Sequence, residues 1–345
     1  MSQSIQTELP LFGPGQEGYF YQQVDNKITK DGIYQTQNDQ TPRPMYFGHG
    51  GKPRFSETRS SDLSNKPGSF KEYEMASKMG SYGLSAGPIA EVLERDIRTI
   101  EEWLAAIGKN SEQFHLFLWI TLRVKLLLLQ LDELWSFCPA KNHQLWVVIA
   151  LDATSKFWLG FELGSRTNYT ASRLVAQIKR VGDFTSGSAL KITTDKRAAY
   201  KNALKKQFVA IKYNSLPIVK QRFKRRLVTV NKCFVKGTET DFPRTTPNTS
   251  FIERFNLTLR QPVSYLTRQT LGYGKNKVNF KYILWINLYN YNYIQFNRSL
   301  RVKMSENPKK FKKCYQHNTP AMTIGLTRKV LTWRDLLTRP IPTTR

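Results

Sequence analysis

Asp132, Asp195 and Glu253 carry the chemistry this sequence offers. Asp132 lies in Leu131-Asp132-Glu133-Leu134-Trp135 at the end of one apolar run, and Asp195 closes a second, Ile192-Thr193-Thr194-Asp195. Glu253 stands in a helical pattern, Ile252-Glu253-Arg254-Phe255-Asn256-Leu257-Thr258-Leu259-Arg260. Two strand-end aspartates and a helical glutamate can converge on two hard cations roughly 3.5–4 Å apart, which stabilise the attacking and leaving oxygens of a phosphodiester exchange. Each residue also has a plainer reading. Asp132 at a buried strand end needs a cation or a salt bridge, because an unpaired carboxylate is costly away from water. Glu133 should point to the opposite face of the strand, so only Asp132 is expected to face the site. Asp152 reads as a hairpin-turn residue. Asp195 also fits a helix N-cap. Ser250-Phe251-Ile252-Glu253 fits a capping box, with Glu253 reaching back to the cap amide. The ligand reading of Glu253 rests on the rest of its helix: Glu253, Asn256 and Arg260 share one face, while Ile252, Phe255, Leu259 and Leu266 share another.

Those side chains belong to a strongly basic chain. Its 345 residues suffice for two or three domains, and 53 Lys and Arg against 26 Asp and Glu leave a net charge of +27. With the excess spread through apolar, structured sequence, a nucleic acid is the expected partner. The three cysteines, Cys138, Cys233 and Cys314, fit neither a disulfide framework nor a metal knuckle, so a reducing, cytoplasmic and nucleoid-associated setting is expected. The first twenty residues lack the basic start and apolar core of a signal peptide. The apolar run Leu116–Leu131 is interrupted by Arg123 and Lys125 and falls short of the roughly 20 residues needed to cross a bilayer. A buried strand is expected there, and no membrane partner.

The positioning elements follow from periodicity. Residues 1–68 sustain no apolar period and are expected to be poorly ordered. Residues 69–115 read as three helices, about Phe70–Met79, Ala86–Leu93 and Ile97–Ile107, with Ser85 as a cap and Glu94-Arg95-Asp96 as a tight turn. This is the order of a helix-turn-helix, whose reading helix would present Arg95, Arg98 and Thr99 to DNA. A small linker or dimer bundle is the alternative, and acidic Glu101 and Glu102 on the reading helix oppose phosphate contact. Between 120 and 300, strands are expected at Val124–Phe137, Leu145–Leu151, Phe157–Leu163, Leu190–Thr194 and Phe208–Tyr213, with helices at Thr170–Val181 and Ala198–Lys206. A three-strand meander followed by helix, strand, helix, strand is the order of a ribonuclease-H-like α/β fold with a mixed five-stranded sheet. In that order the first and fourth strands are neighbours, which would bring Asp132 and Asp195 together across 63 residues of sequence. Residues 216–247 read as an irregular basic insert. Its centre, Lys220-Gln221-Arg222-Phe223-Lys224-Arg225-Arg226, suits a phosphate track. Helices return at 250–266 and 277–297, although Pro262 should kink or end the first of these. The tyrosines at 282, 289, 291 and 293 read as packing residues. Residues 301–345 read as a C-terminal tail.

Four stretches together resemble a DDE transposase of the bacterial insertion sequence one type: Asp132-Glu133-Leu134-Trp135, Gly164-Ser165-Arg166-Thr167, Thr194-Asp195 with Tyr200, and Ile252 through Gln261. The last block is the most specific, and the resemblance covers about residues 70–340. It implies a ribonuclease-H-like catalytic domain in which Asp132, Asp195 and Glu253 bind two magnesium ions, with manganese as an alternative. It also implies a helix-turn-helix that reads terminal inverted repeats, and a homo-oligomer assembled on double-stranded DNA that includes the target. Lys220, Arg222, Lys224, Arg225, Arg226, Arg254, Asn256 and Arg260 are the expected further DNA contacts. The family often carries a zinc ribbon upstream. Residues 28–32 and 46–52 look like its body, yet no cysteine precedes Cys138, and Phe20, Gln23, Gly48 and Gly51 fall where ligands would sit. No zinc is therefore expected. The rival functions are a DNA-binding remnant without catalysis and a ribonuclease-H-like nuclease.

Overall fold

A computed structural model describes residues 28–36, 39–48, 52–56, 63 and 66–338, apart from 141, 185–186, 196, 224–225, 243–247, 268–273 and 305–314. Strands β1 (Ile28–Thr36), β2 (Asp39–Gly48) and β3 (Lys52–Ser56) form a three-stranded antiparallel sheet in the order β1-β2-β3. They fall within residues 1–68, expected to be poorly ordered or like a degenerate zinc ribbon, of which 1–27 and much of 49–65 lie outside the described residues. Short strands with polar alternation give little apolar period, but they pair by backbone. Helix α1 (Phe70–Ser81) starts with a capping box between Ser69 and Glu72. Helix α2 (Ala86–Leu93) ends at Glu94, which is left-handed with φ 52°.

Helix α3 runs Ile97–Leu122, fifteen residues beyond the expected end at Ile107. Gly108 does not break it, because Ile107, Ser111, Phe114, His115 and Leu118 continue the buried stripe at helical spacing. The helix stops where Arg123 turns left-handed, with φ 39°. The apolar run Leu116–Leu131 is therefore not one strand. It divides into the end of α3, the short β4 (Val124–Lys125) and the start of β5 (Leu128–Phe137).

The central sheet continues with β6 (Gln144–Asp152) and β7 (Trp158–Gly164), then α4 (Asn168–Val181), β8 (Gly182–Asp183, parallel to β4), β9 (Leu190–Asp195), α5 (Ala198–Gln207), β10 (Tyr213–Phe223) and β11 (Arg226–Lys232). Six of these strands form one sheet in the order β11-β10-β9-β5-β6-β7. The expected adjacency holds: β5 and β9 pair in parallel from Leu128↔Lys191 to Leu131↔Thr194. The meander β5-β6-β7 is antiparallel. Asp152 accepts the Ser155 amide and hydroxyl at its turn, and also the amide of Leu128.

Two expectations fail at the other edge of this sheet. The fifth strand is Tyr213–Phe223, not Phe208–Tyr213, because Phe208 closes α5 and is buried between the rings of Phe184 and Tyr213. The basic stretch is not an irregular insert. Its residues form the hairpin β10–β11, which adds a sixth strand. Val228, Thr229 and Val230 are β-formers, and their preference outweighs the cations around them.

Helix α6 (Ser250–Arg260) is shorter than the expected 250–266; Pro262 follows its end, and a separate single turn covers Ser264–Leu266. Helix α7 (Lys277–Tyr289) continues into a wider turn, Asn290–Ile294. Strands β12 (Val302–Lys303) and β13 (Tyr315–Gln316) pair antiparallel, and α8 (Pro320–Thr323) and α9 (Trp333–Thr338) end the described chain.

Two compact units result. One holds the described residues up to Phe117 with Tyr282–Gln295 and the described part of Gly325–Arg345; the other holds Leu118–Lys281 and Phe296–Ile324. In the first, Tyr73 meets Trp103 edge-on at 4.8 Å, and Phe114 packs on Tyr289 and Tyr293. Tyr289 also lies 5.2 Å from Trp333, so residues expected in a tail belong to this helical core. No helix among the described residues is long and apolar enough to cross a membrane.

Candidate active site

The site lies in the sheet-bearing unit, where β5 and β9 run side by side. Asp132, Glu133 and Asp195 each offer a carboxylate oxygen within 4.8 Å of the others, the one such group that could hold a metal among the described residues. Glu133 is thus not turned away, as simple alternation along the strand predicts. Its longer side chain brings one oxygen to the cluster while it stays only 3% exposed. Burial, and then the charges of Glu133, Asp195 and Glu253, push Asp132 up to about 7, against the opposing amide of Glu133. Asp195 is also raised, by burial first and the Glu133 charge second, although the Arg197 amide binds it at 3.1 Å.

A ring of donors fixes Glu133. Arg166 reaches it through Nε at 2.8 Å and Nη2 at 2.5 Å, the Tyr200 hydroxyl donates at 2.7 Å, and Arg197 Nη1 lies 3.4 Å away. Arg166 stands in the turn between β7 and α4. Gly164 permits that turn, since a Cβ there would come within 2.6 Å of the Thr170 hydroxyl oxygen. Thr167 then caps α4 by accepting the Thr170 amide. Glu133, Arg166 and Tyr200 stood in the quoted motifs, but their mutual contact could not be read from spacing.

Helix α6 brings the remaining groups. Asn256 is buried and donates to Asp132 Oδ2 at 2.7 Å, and its own Oδ1 has no hydrogen-bond partner among the described residues. Glu253 is within electrostatic reach of Asp132, outside the three-carboxylate group. The expected capping box does not form. Thr249, not Ser250, is the N-cap, and its hydroxyl donates to Glu253 Oε1 at 2.5 Å, while Ser250 binds Asn248. Glu253 therefore sits one position too deep for a capping box, though a first-turn carboxylate still suits the helix dipole.

Gln130 is the positioning residue that sequence reading missed. It is fully buried on β5, two residues before Asp132, and so on the same face. Its Nε2 donates to the Asn248 carbonyl at 2.5 Å, and its Oε1 accepts the Ile252 amide at 2.9 Å. The Thr249 side chain makes no cap bond to the helix amides, so Gln130 takes a first-turn donor of α6 in its place. Ser136 extends the seam, donating to the Tyr265 carbonyl at 2.6 Å just beyond Pro262. The available signal was one amide in an otherwise apolar run. Gln130→Leu strands the buried Ile252 amide and leaves the Asn248 carbonyl only the Thr193 hydroxyl at 3.3 Å, so urea unfolding should show a loss of roughly 1–3 kcal/mol. A loss under about 0.5 kcal/mol would mean that α6 is seated by other contacts.

The expected DNA contacts scatter. Arg95 is held by Glu72 at 2.7 Å within the helical unit. Arg98 is exposed at the start of α3, its amide bound to Asp96, and Thr99 is half-buried. Arg254 is exposed and Arg260 half-buried on α6. Lys220 and Arg222 lie in β10 and Arg226 in β11, while Lys224 and Arg225 lie outside the described residues, as do Phe20, Gln23 and Gly51.

A mixed α/β core with a mostly antiparallel six-stranded sheet and an acidic cluster where the parallel pairing of β5 with β9 ends, midway along β5, is nuclease-like in organisation. Residues 125–240 match the family described as IS1 transposase. Over 147 residues the chain is 24% identical to the insertion element IS1 4 protein InsB of Escherichia coli (strain K12), covering 43% of this chain and 65% of that protein, just under two thirds of its length. Both findings make this chain similar to IS1 transposases over part of its length. The matched family interval includes Asp132, Glu133, Arg166 and Asp195, and ends before Glu253.

Proposed function

We propose that this chain is a DNA transposase that cleaves and joins strands at insertion-element ends, with Asp132, Asp195 and Glu253 as the catalytic carboxylates. The observation that carries the reading is the parallel pairing of β5 with β9, which sets two aspartates 63 residues apart in sequence side by side. Three antiparallel strands joined to two parallel ones, with α4 and α5 between, support a ribonuclease-H-like core. The donor set suits magnesium, a hard cation that prefers anionic oxygen. Asp132, Asp195 and Glu253 would hold it, and Asn256 would orient Asp132. When bound, divalent ions activate the attacking hydroxyl and stabilise the leaving oxygen. The protein's own part is to hold the acidic cluster in place. The Arg166 and Arg197 guanidiniums oppose the raised pKa of Asp195, and Gln130 seats the helix that carries Glu253. The exposed start of α3 and the basic hairpin β10–β11 are the surfaces we assign to double-stranded DNA, with a homo-oligomer assembled on it.

Incubation with labelled element ends and magnesium should yield joined products. Glu253→Gln keeps the Thr249 hydrogen bond through its amide oxygen but loses the charge. It should fold and bind DNA, with joining reduced roughly 100-fold or more. Equal joining by wild type and variant would remove Glu253 from the catalytic set. Binding without any cleavage would favour a non-catalytic remnant.

A further inference from the structure

Past Glu133, strand β5 leaves an aromatic ring in water. Trp135 is 43% exposed between buried Leu134 and Ser136. By strand alternation it shares the face of Glu133, roughly 7 Å further along. Its register partner on β6 is Trp146, and its ring rests against Phe137 at 5.5 Å. The Arg166 guanidinium lies 4.5 Å from the Trp146 ring centroid while it holds Glu133, and half of its side chain is in water. A strip of the sheet thus runs from the acidic cluster through a guanidinium to an exposed indole.

A lone exposed tryptophan needs no explanation. The surroundings make this one informative. A protein-docking face would extend the apolar surface, whereas Arg166 flanks these indoles and the adjoining start of α4 repeats the combination, with Arg173 over the 70% exposed Tyr169. Rings interleaved with guanidiniums take bases on their π faces and phosphates on their cations. The excess of 27 positive charges selects a polyanion as the occupant. In a duplex the base faces are already stacked, so an indole lying on the sheet can be covered only by an unpaired base. Arg166 can turn to a phosphate without abandoning Glu133, which keeps Tyr200 and Arg197 as partners.

We propose that Trp135, with Trp146 and Arg166, forms a stacking platform for an unpaired DNA base beside the carboxylate cluster. The proposal rests on the reading of the chain as a DNA transposase. Trp135 receives the base, and Arg166 positions the adjoining phosphate.

Fluorescence anisotropy with labelled oligothymidylate and a labelled duplex of equal length, without magnesium, tests this. Trp135→Ala should weaken single-strand binding roughly 5- to 150-fold, the loss of one stacked base. Duplex affinity, set by phosphate contacts, should change by less than about twofold. Trp135→Phe, which keeps a ring, should recover most of the single-strand affinity. Unchanged single-strand binding by Trp135→Ala, an equal loss for both forms of DNA, or a Phe variant no better than Ala would each overturn the platform. The joining assay separates the two ideas. A wild type that loses only single-strand binding on Trp135→Ala, yet never joins ends, keeps the platform and removes the transposase. A wild type that joins ends while Trp135→Ala binds single strands normally does the reverse.

Discussion

Asp132→Asn should yield a protein that is more stable than wild type without metal, yet inactive. The buried carboxyl of Asp132 is raised from its usual 3.8 to about 7. A group whose pKa is higher in the folded state favours folding when protonated. Its contribution is complete below about pH 4 and is lost as pH rises through about 7. At pH 8 the metal-free wild type therefore carries an ionised Asp132 that burial, first, and its like-charged neighbours disfavour by up to about 4 kcal/mol. Asparagine removes that charge; its Oδ1 can still accept the Glu133 amide, and its Nδ2 can donate to Asn256 once that amide turns its unpartnered Oδ1 inward. Urea unfolding in a chelator should show the variant ahead by roughly 2–4 kcal/mol at pH 8 and level with wild type near pH 4. Magnesium should stabilise the wild type at pH 8 by mass action and leave the variant unmoved. Joining should fall roughly 1000-fold, matching several kcal/mol of lost transition-state stabilisation. A variant that is less stable than wild type at pH 8 would show that Asp132 serves the fold rather than the site.

Such a trade of stability for chemistry was partly legible in the sequence. The adjacency of Asp132 and Asp195 followed from element order alone, because a meander followed by strand crossovers leaves few ways to build the sheet. Periodicity failed where two periods met. Leu116–Leu131 is apolar on both sides of Arg123 and Lys125, and those two cations alone do not distinguish a helix end from a polar position in one strand; the φ of 39° at Arg123 is a tertiary outcome. Composition misled at 216–232, where the cations hid the β-branched residues that pair the hairpin. Gln130 and Ser136 were unreadable for a different reason. Each contacts a residue more than a hundred positions away, Asn248 and Tyr265, and no local pattern records such a bond.

Glu133 is where the site and the fold compete most directly, and Glu133→Gln separates its two roles. The carboxylate can reach the metal-binding group, but Arg166, Tyr200 and Arg197 already surround it. Four donor contacts leave it little capacity for a cation, so we assign it to positioning. Glutamine keeps an acceptor for Arg166 and can meet the Tyr200 hydroxyl with its amide, so the shape survives and the charge does not. Arg197, only 13% exposed, then loses its closest counter-charge. Breaking a fully buried pair costs about 3–5 kcal/mol, and the half-exposed Arg166 recovers part of this by turning to water. Unfolding measurements should therefore show a loss of roughly 2–3 kcal/mol. Removing the Glu133 charge also removes one cause of the raised pKa values of Asp132 and Asp195, so both should titrate lower than in wild type. Magnesium binding, read by calorimetry at pH 8, should weaken by less than about tenfold, because the remaining aspartates are more readily ionised. A variant of undiminished stability that no longer binds magnesium would reverse the assignment and make Glu133 a ligand.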